Sequence, residues 1–265
     1  MRDLRVRCDW DAAQTHDSLR PYLIEESHEV DDALRRGDDR ALREELGDLL
    51  LQILFHSVLA EERGAFDMHD VAHGLVTKMR SRHPHLYEGA EKIPWEQMKA
   101  KKRSSLGEGL PLTLPALHRA HRLQDRAAGV GFDWPDASGP AAKVAEELQE
   151  VTQELGAAGL RPTDQSSGVS AASAASTRGG AALAGPHAHD RLEDELGDLL
   201  FACVNLCRKA GVHAALALDR ANAKFESRVA AIQTVATDRG IALADSSPAE
   251  LDELWEEVKR QRVTE

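Results

Sequence analysis

The hexapeptide ELGDLL stands twice in this chain, at 45–50 and again at 195–200. Each time, two carboxylates three residues apart interrupt an otherwise apolar run. Such a repeat demands the same surroundings twice, and a period of this kind decides the fold before any local signal does. The other echoes keep the same order. RCDWDAAQ around Trp10 returns as VGFDWPDAS around Trp134, an offset of 124. EESHE at 25–29 returns as EELQE at 146–150, an offset of 121. Lys78 and Arg82 return as Lys224 and Arg228, an offset of 146, and WEQMK at 95–99 returns as WEEVK at 255–259, an offset of 160. All four tryptophans fall into repeat pairs.

The reading is a tandem duplication, 1–110 and 111–265, joined near RSSLGEGLPLTLP at 103–115, where Gly and Pro break the pattern. The offset grows by 29 residues, from 121 to 150, between the second and third echoes. The surplus lies in an Ala/Ser/Gly-rich stretch at 156–190 with no apolar period, a composition that cannot bury enough surface to offset ordering entropy. A flexible insert inside the second copy is expected there.

Aromatics make up 4% of the chain, while Leu, Ala, Glu and Arg abound, which favours packed helices over a sandwich or barrel. The fold class expected is all-α. Helices are expected near 15–35, 39–62, 68–82 and 94–105, then near 140–155, 190–210, 214–240 and 248–262. Asp38 and Asp39 suit the N-cap of the second, and Pro140 suits a helix start.

The carboxylates carry the functional signal. At about 100° per residue, Asp48 and Gln52 fall on the same face of a helix as Glu45. Leu46, Leu49, Leu50, Ile53 and Leu54 flank that face on one side, Leu51 and Phe55 on the other. The acidic stripe is narrow, unlike an ordinary solvated face. Glu26 and Glu29 have the same i, i+3 spacing one helix earlier, and Glu147, Glu150, Glu195 and Asp198 repeat the set. Two facing helices with two oxygen ligands each suit a hard divalent ion, Mg²⁺ above all, because it retains waters and accepts phosphate oxygens. Glu25 and Glu146, beside these sets, are candidates to orient or deprotonate an attacking water. Lys78, Arg82, Lys224 and Arg228 could neutralise a polyphosphate as charge develops on a leaving group. Trp255, Lys259 and Lys99 are weaker substrate-binding candidates.

A net charge of −12 argues against duplex nucleic acid as a partner, because phosphate binding needs clustered Lys and Arg. Cys8, Cys203 and Cys207 form no CxxC pair and, being odd in number, no disulfide framework. The N-terminus shows no apolar signal region, and no apolar run approaches the roughly 20 residues of a membrane helix. A cytoplasmic protein with no membrane or nucleic-acid partner is expected.

At the motifs just quoted the chain resembles the MazG family of nucleoside triphosphate pyrophosphohydrolases in its two-domain bacterial form. EESHE with ELGD, and EELQE with ELGD, match that family's EExxE and ExxD pattern. RHPH at 82–85 and GFDW at 131–134 are also similar to family segments. The resemblance covers nearly the whole chain apart from the 156–190 insert. It implies two MazG-like helical bundles, a homodimer, and Mg²⁺, with Mn²⁺ as a substitute, bound through the carboxylates. It also implies hydrolysis of ribo- or deoxyribonucleoside triphosphates to the monophosphate and pyrophosphate, in the service of clearing unwanted nucleotides. The main activity would belong to the C-terminal copy, through Glu146, Glu147, Glu150, Glu195, Asp198, Lys224 and Arg228. One departure is that 44 residues separate Glu150 from Glu195, against 15 between Glu29 and Glu45. Two other classes compete. A di-iron carboxylate bundle would use Glu-x-x-His motifs, of which Glu25 with His28 is one. A non-catalytic acidic helical scaffold would explain the charge but not the ordered Lys/Arg and Trp echoes.

Overall fold

A computed structural model describes residues 1–89, 103–157 and 186–261. Among these residues the chain is all-α, with eleven α-helices, one 3₁₀ turn and no strand. The chain divides into two compact units, Met1–Pro94 and Trp95–Glu265.

The first unit is built on a helical hairpin. Helices α1 (Arg2–Arg7) and α2 (Asp9–Ala13) precede the long pair α3 (His16–Arg36) and α4 (Asp39–Glu62). Then come α5 (Met68–Arg82) and the short α6 (Pro84–Tyr87). Thr15 starts α3 through a reciprocal capping box with Ser18, which satisfies two otherwise orphaned backbone donors. Gly37 ends it at φ 66°, a left-handed conformation that costs glycine nothing. Asp38 then accepts hydrogen bonds from the amides of Arg40 and Ala41 at 3.0 and 3.1 Å, capping α4 as the Asp38–Asp39 pair suggests. So short a turn forces α3 and α4 to run antiparallel. Leu19, Phe55 and Leu59 close the core between them, with Met1 packed against it.

Helices α7 (Ala116–Gly129), α8 (Ser138–Ala157), α9 (Pro186–Lys209), α10 (Ala214–Arg239) and α11 (Pro248–Gln261) make up the second unit, with a 3₁₀ turn at Leu243–Asp245. Helices α8 and α9 form the counterpart of the α3–α4 hairpin, tied where α8 ends and α9 begins by Arg191 and Glu154 at 3.0 Å. Gln124 of α7 donates to the Phe201 carbonyl of α9 at 2.9 Å. Ile232 of α10 packs on Leu254 and Val258 of α11.

Residues 103–115, read from sequence as the link between copies, are non-helical and packed into the second unit. Buried Arg126 donates to the carbonyls of Leu106 and Glu108 at 2.7 and 2.8 Å, and Leu110 is buried. The helix expected near 94–105 falls mostly outside the described residues. The expected insert begins and ends in helix, since α8 continues to Ala157 and α9 starts at Pro186; its centre, 158–185, lies outside the described residues. No single described helix is long and apolar enough to cross a membrane.

Candidate active site

Helices α3 and α4 bring the first carboxylate set together across the hairpin. Oxygens of Glu26, Glu29 and Glu45 all lie within 4.8 Å of one another, with Glu26 and Glu45 half-buried. Asp48 is exposed, and its charge acts on both Glu26 and Glu45. Burial, then the charges of Asp48 and Glu29, push the Glu26 carboxyl above its ordinary value. Burial, then Glu29 and Asp48, do the same to Glu45, which also shares a hydrogen bond with Glu29. These carboxylates repel one another, which a divalent cation would reverse.

The second hairpin repeats the arrangement, with oxygens of Glu147, Glu150 and Glu195 within 4.8 Å of one another. Asp198, the fourth expected ligand, is an exposed residue of α9 one turn on from Glu195. Glu147 is only 4% exposed, and its Oε2 is buried without a hydrogen-bond partner. A buried carboxylate oxygen left so is costly, and the remedy that suits a site of three converging carboxylates is a hard cation. Glu150 is pushed up, first by a hydrogen bond shared with Glu147, then by burial and the charges of Glu147 and Glu195. Glu147 moves the other way, because Lys143 hydrogen-bonds to it. Both donor sets are all-oxygen, which fits Mg²⁺ or Mn²⁺ and disfavours soft metals.

The apolar walls of the stripe differ from the sequence expectation. Leu46 and Leu50 are 49% and 47% exposed, and Leu51 and Ile53 are exposed as well. In the second hairpin Leu196, Leu200 and Phe201 are exposed in the same way. Helical angle alone distinguishes one face of α4 from another but cannot say which faces a two-helix hairpin covers. Gln52, on the carboxylate face, is buried, as is its counterpart Ala202.

Glu25 is exposed on α3, and Glu146 is exposed on α8, where it pairs with Lys143 at 2.9 Å. The guanidinium of Arg228 lies over the Trp255 ring, 5.4 Å from its centroid, and Phe225 packs on the same indole at 5.8 Å. This places two sequence candidates from α10 and α11 at one point. Lys224 is exposed on α10, while Lys259 turns to Glu256 of its own helix at 3.0 Å. In the first unit Lys78 is exposed and Arg82 half-buried on α5; Lys99 lies outside the described residues. His28, which a di-iron reading needs, is exposed and takes no part in the Glu26, Glu29 and Glu45 cluster.

Two features escaped the sequence reading. Lys143 sits four residues before Glu147 and three before Glu146, a spacing visible in KVAEELQE but outside the acidic pattern that the two copies share. Asp133 of GFDW accepts from both Arg208 and Lys209 of α9, and Lys209 also donates to the Trp134 carbonyl at 2.6 Å. That segment therefore pins the loop leading into α8, upstream of the cage.

The model of the MazG nucleotide pyrophosphohydrolase domain matches residues 14–87, which span α3 to α6 and hold the first carboxylate set with Lys78 and Arg82. The chain is 37% identical to the nucleoside triphosphate pyrophosphohydrolase of Escherichia coli (strain K12), over 99% of this chain and 94% of that protein. It is 39% identical to the nucleoside triphosphate pyrophosphohydrolase/pyrophosphatase MazG of Thermotoga maritima, over 95% and 89%. With the Mycolicibacterium smegmatis nucleoside triphosphate pyrophosphohydrolase it shares 38% identity over 68% of this chain and 60% of that one. Matches at this identity that run nearly end to end, joined to paired carboxylate hairpins, leave one conclusion: the chain belongs to the MazG family of nucleotide pyrophosphohydrolases.

Proposed function

We propose that the protein is a Mg²⁺-dependent hydrolase that converts a nucleoside triphosphate and water to the monophosphate and pyrophosphate, with Mn²⁺ able to substitute. The observation carrying this reading is the recurrence of one carboxylate geometry in both hairpins, Glu26, Glu29 and Glu45 in the first and Glu147, Glu150 and Glu195 in the second. When bound, Mg²⁺ supplies Lewis-acid polarisation and screens the carboxylates from the phosphates.

In the C-terminal copy, Glu147, Glu150, Glu195 and Asp198 hold the ion, and Glu26, Glu29, Glu45 and Asp48 do so in the first. Glu146, exposed beside the second cage, takes the proton of the attacking water, and Glu25 is its counterpart in the first. The bond between the α and β phosphates breaks and pyrophosphate carries away the developing charge. Lys224 and Arg228 stabilise that charge, with Arg228 held in place by Trp255. Lys259 and, in the first copy, Lys78, Arg82 and Lys99 supply further phosphate contacts. The biological task is removal of unwanted nucleotides in the cytoplasm, where Cys8, Cys203 and Cys207 stay unpaired. The exposed leucines flanking each cage are best covered by a second copy, making the working form a homodimer.

Pyrophosphate release over a panel of nucleoside triphosphates tests the reading. Glu150→Ala is expected to remove most activity and Glu29→Ala little. Loss in Glu29→Ala alone would move catalysis to the first copy; full activity in both would discard the cages.

A further inference from the structure

The two cages match in carboxylates but not in cations. Lys143 Nζ lies 2.6 Å from Glu147 Oε1 and 2.9 Å from Glu146 Oε1, one helical turn ahead of both. The offset of 121 that aligns EESHE with EELQE places Tyr22 at the same point of the first copy. Tyr22 carries no charge, and its ring packs edge-on to Trp10 at 6.2 Å. Among the described residues, no basic side chain forms an ion pair with Glu25, Glu26, Glu29, Glu45 or Asp48. The second cage therefore starts with one positive charge already on its most buried ligand, while the first has none among the described residues.

We propose that Lys143 is a tethered counter-cation that lowers the divalent-metal affinity of the C-terminal cage below that of the N-terminal one. The inference rests on the metal-binding reading of both cages. The ammonium of Lys143 satisfies one oxygen of Glu147, and its charge opposes a divalent ion held by the other oxygen and by Glu150 and Glu195. The side chain cannot leave by diffusion, so its effective concentration at the cage is high and constant. The consequence fits a site that works on a polyphosphate: the second cage fills when phosphate oxygens join its carboxylates, whereas the first can fill without nucleotide.

Calorimetric titration of the full chain with Mn²⁺, in the absence of nucleotide, tests this. Glu29→Ala isolates the second cage and Glu150→Ala the first. The first cage is expected to bind about tenfold more tightly than the second. Lys143→Met added to Glu29→Ala should tighten Mn²⁺ binding by about tenfold, and Tyr22→Lys added to Glu150→Ala should weaken it by a similar factor. Lys143→Arg, which keeps the charge, should stay at the starting affinity and guards against an effect of folding alone. Mn²⁺ binding that Lys143→Met leaves unchanged or weakens would overturn this inference while leaving the metal reading intact. A wild-type chain that takes up no Mn²⁺ at either cage would overturn the metal reading and this inference together.

Discussion

Gly139 lies so close to the face of Trp134 that a Cβ there would stand 2.3 Å from Cε3 and 2.5 Å from Cδ2 of the indole. Gly139 is the second residue of α8, and Lys209 holds the Trp134 carbonyl, so neither backbone is free to retreat. Gly139→Ala is expected to swing the ring out and to cost about 1–3 kcal/mol. With 5-fluorotryptophan incorporated, the four tryptophans give four ¹⁹F resonances, and only one should shift. An unmoved spectrum with an unchanged melting temperature would remove the contact from the account.

Arg208 and Asp133 form a second tie in that loop. Their side chains are 11% and 22% exposed, and the guanidinium, more than any other group, holds the Asp133 carboxyl below its ordinary value. Arg208→Met leaves Asp133 with the Lys209 ammonium at 3.3 Å and the Trp134 amide at 2.9 Å. A loss of about 2 kcal/mol in unfolding free energy is expected, since a charge-assisted pair in a poorly solvated place is broken from one side. Activity should fall with it, through faster proteolysis of residues 131–137 rather than through any change in Mn²⁺ affinity.

In the second cage, the charge of Glu195 adds to that pressing on Glu150. Glu195→Gln keeps the side-chain shape and removes that charge. Pyrophosphate release is expected to drop by roughly 100-fold or more, the scale of several kcal/mol from a metal centre. The metal-free protein should melt no lower than wild type, and slightly higher. A variant that loses both activity and melting temperature would show Glu195 to be structural.

Three half-buried imidazoles meet where α7 reaches the start of α10. His213 lies 4.6 Å from His118 and 4.3 Å from His121, ring centroid to ring centroid. Burial first, then the neighbouring imidazoles and the Arg122 and Arg208 guanidiniums, hold all three below the ordinary histidine value, with Asp125 opposing this at His121 and His213. As pH falls through about 6.5, the unfolded chain takes up these protons before the folded chain does. Stability is therefore lost from that point down to the depressed folded values and is unaffected well above it. The denaturant midpoint should fall from pH 7.5 to 5.5 more steeply in wild type than in a His118→Asn, His121→Asn double variant. Equal slopes would count against this.

The elements legible in the sequence were those whose ends are written in local chemistry. Asp38 caps α4 and Gly37 ends α3, and both are readable from residue type alone. Helix α7 was not legible, because its buried face carries Gln124 and Arg126, polar residues that bond to carbonyls far along the chain and mask the apolar period. The carboxylate sets were legible from i, i+3 spacing and repetition. Their exposed leucines and the presence of Lys143 were not, since both depend on what stands on neighbouring turns and helices.

Arg5 sets the boundary of the first unit. Its guanidinium pairs with Glu62 at the end of α4 and also donates to the carbonyls of Asp11, Ala12 and Gln14 where α2 ends. All of these but Glu62 and Gln14 precede the segment matched by the family model, which starts at residue 14. A fragment cut at that edge would strip the far end of α4 of its anchor, so a piece of this protein expressed alone should keep residues 1–13 as well as the segment that the domain model matches.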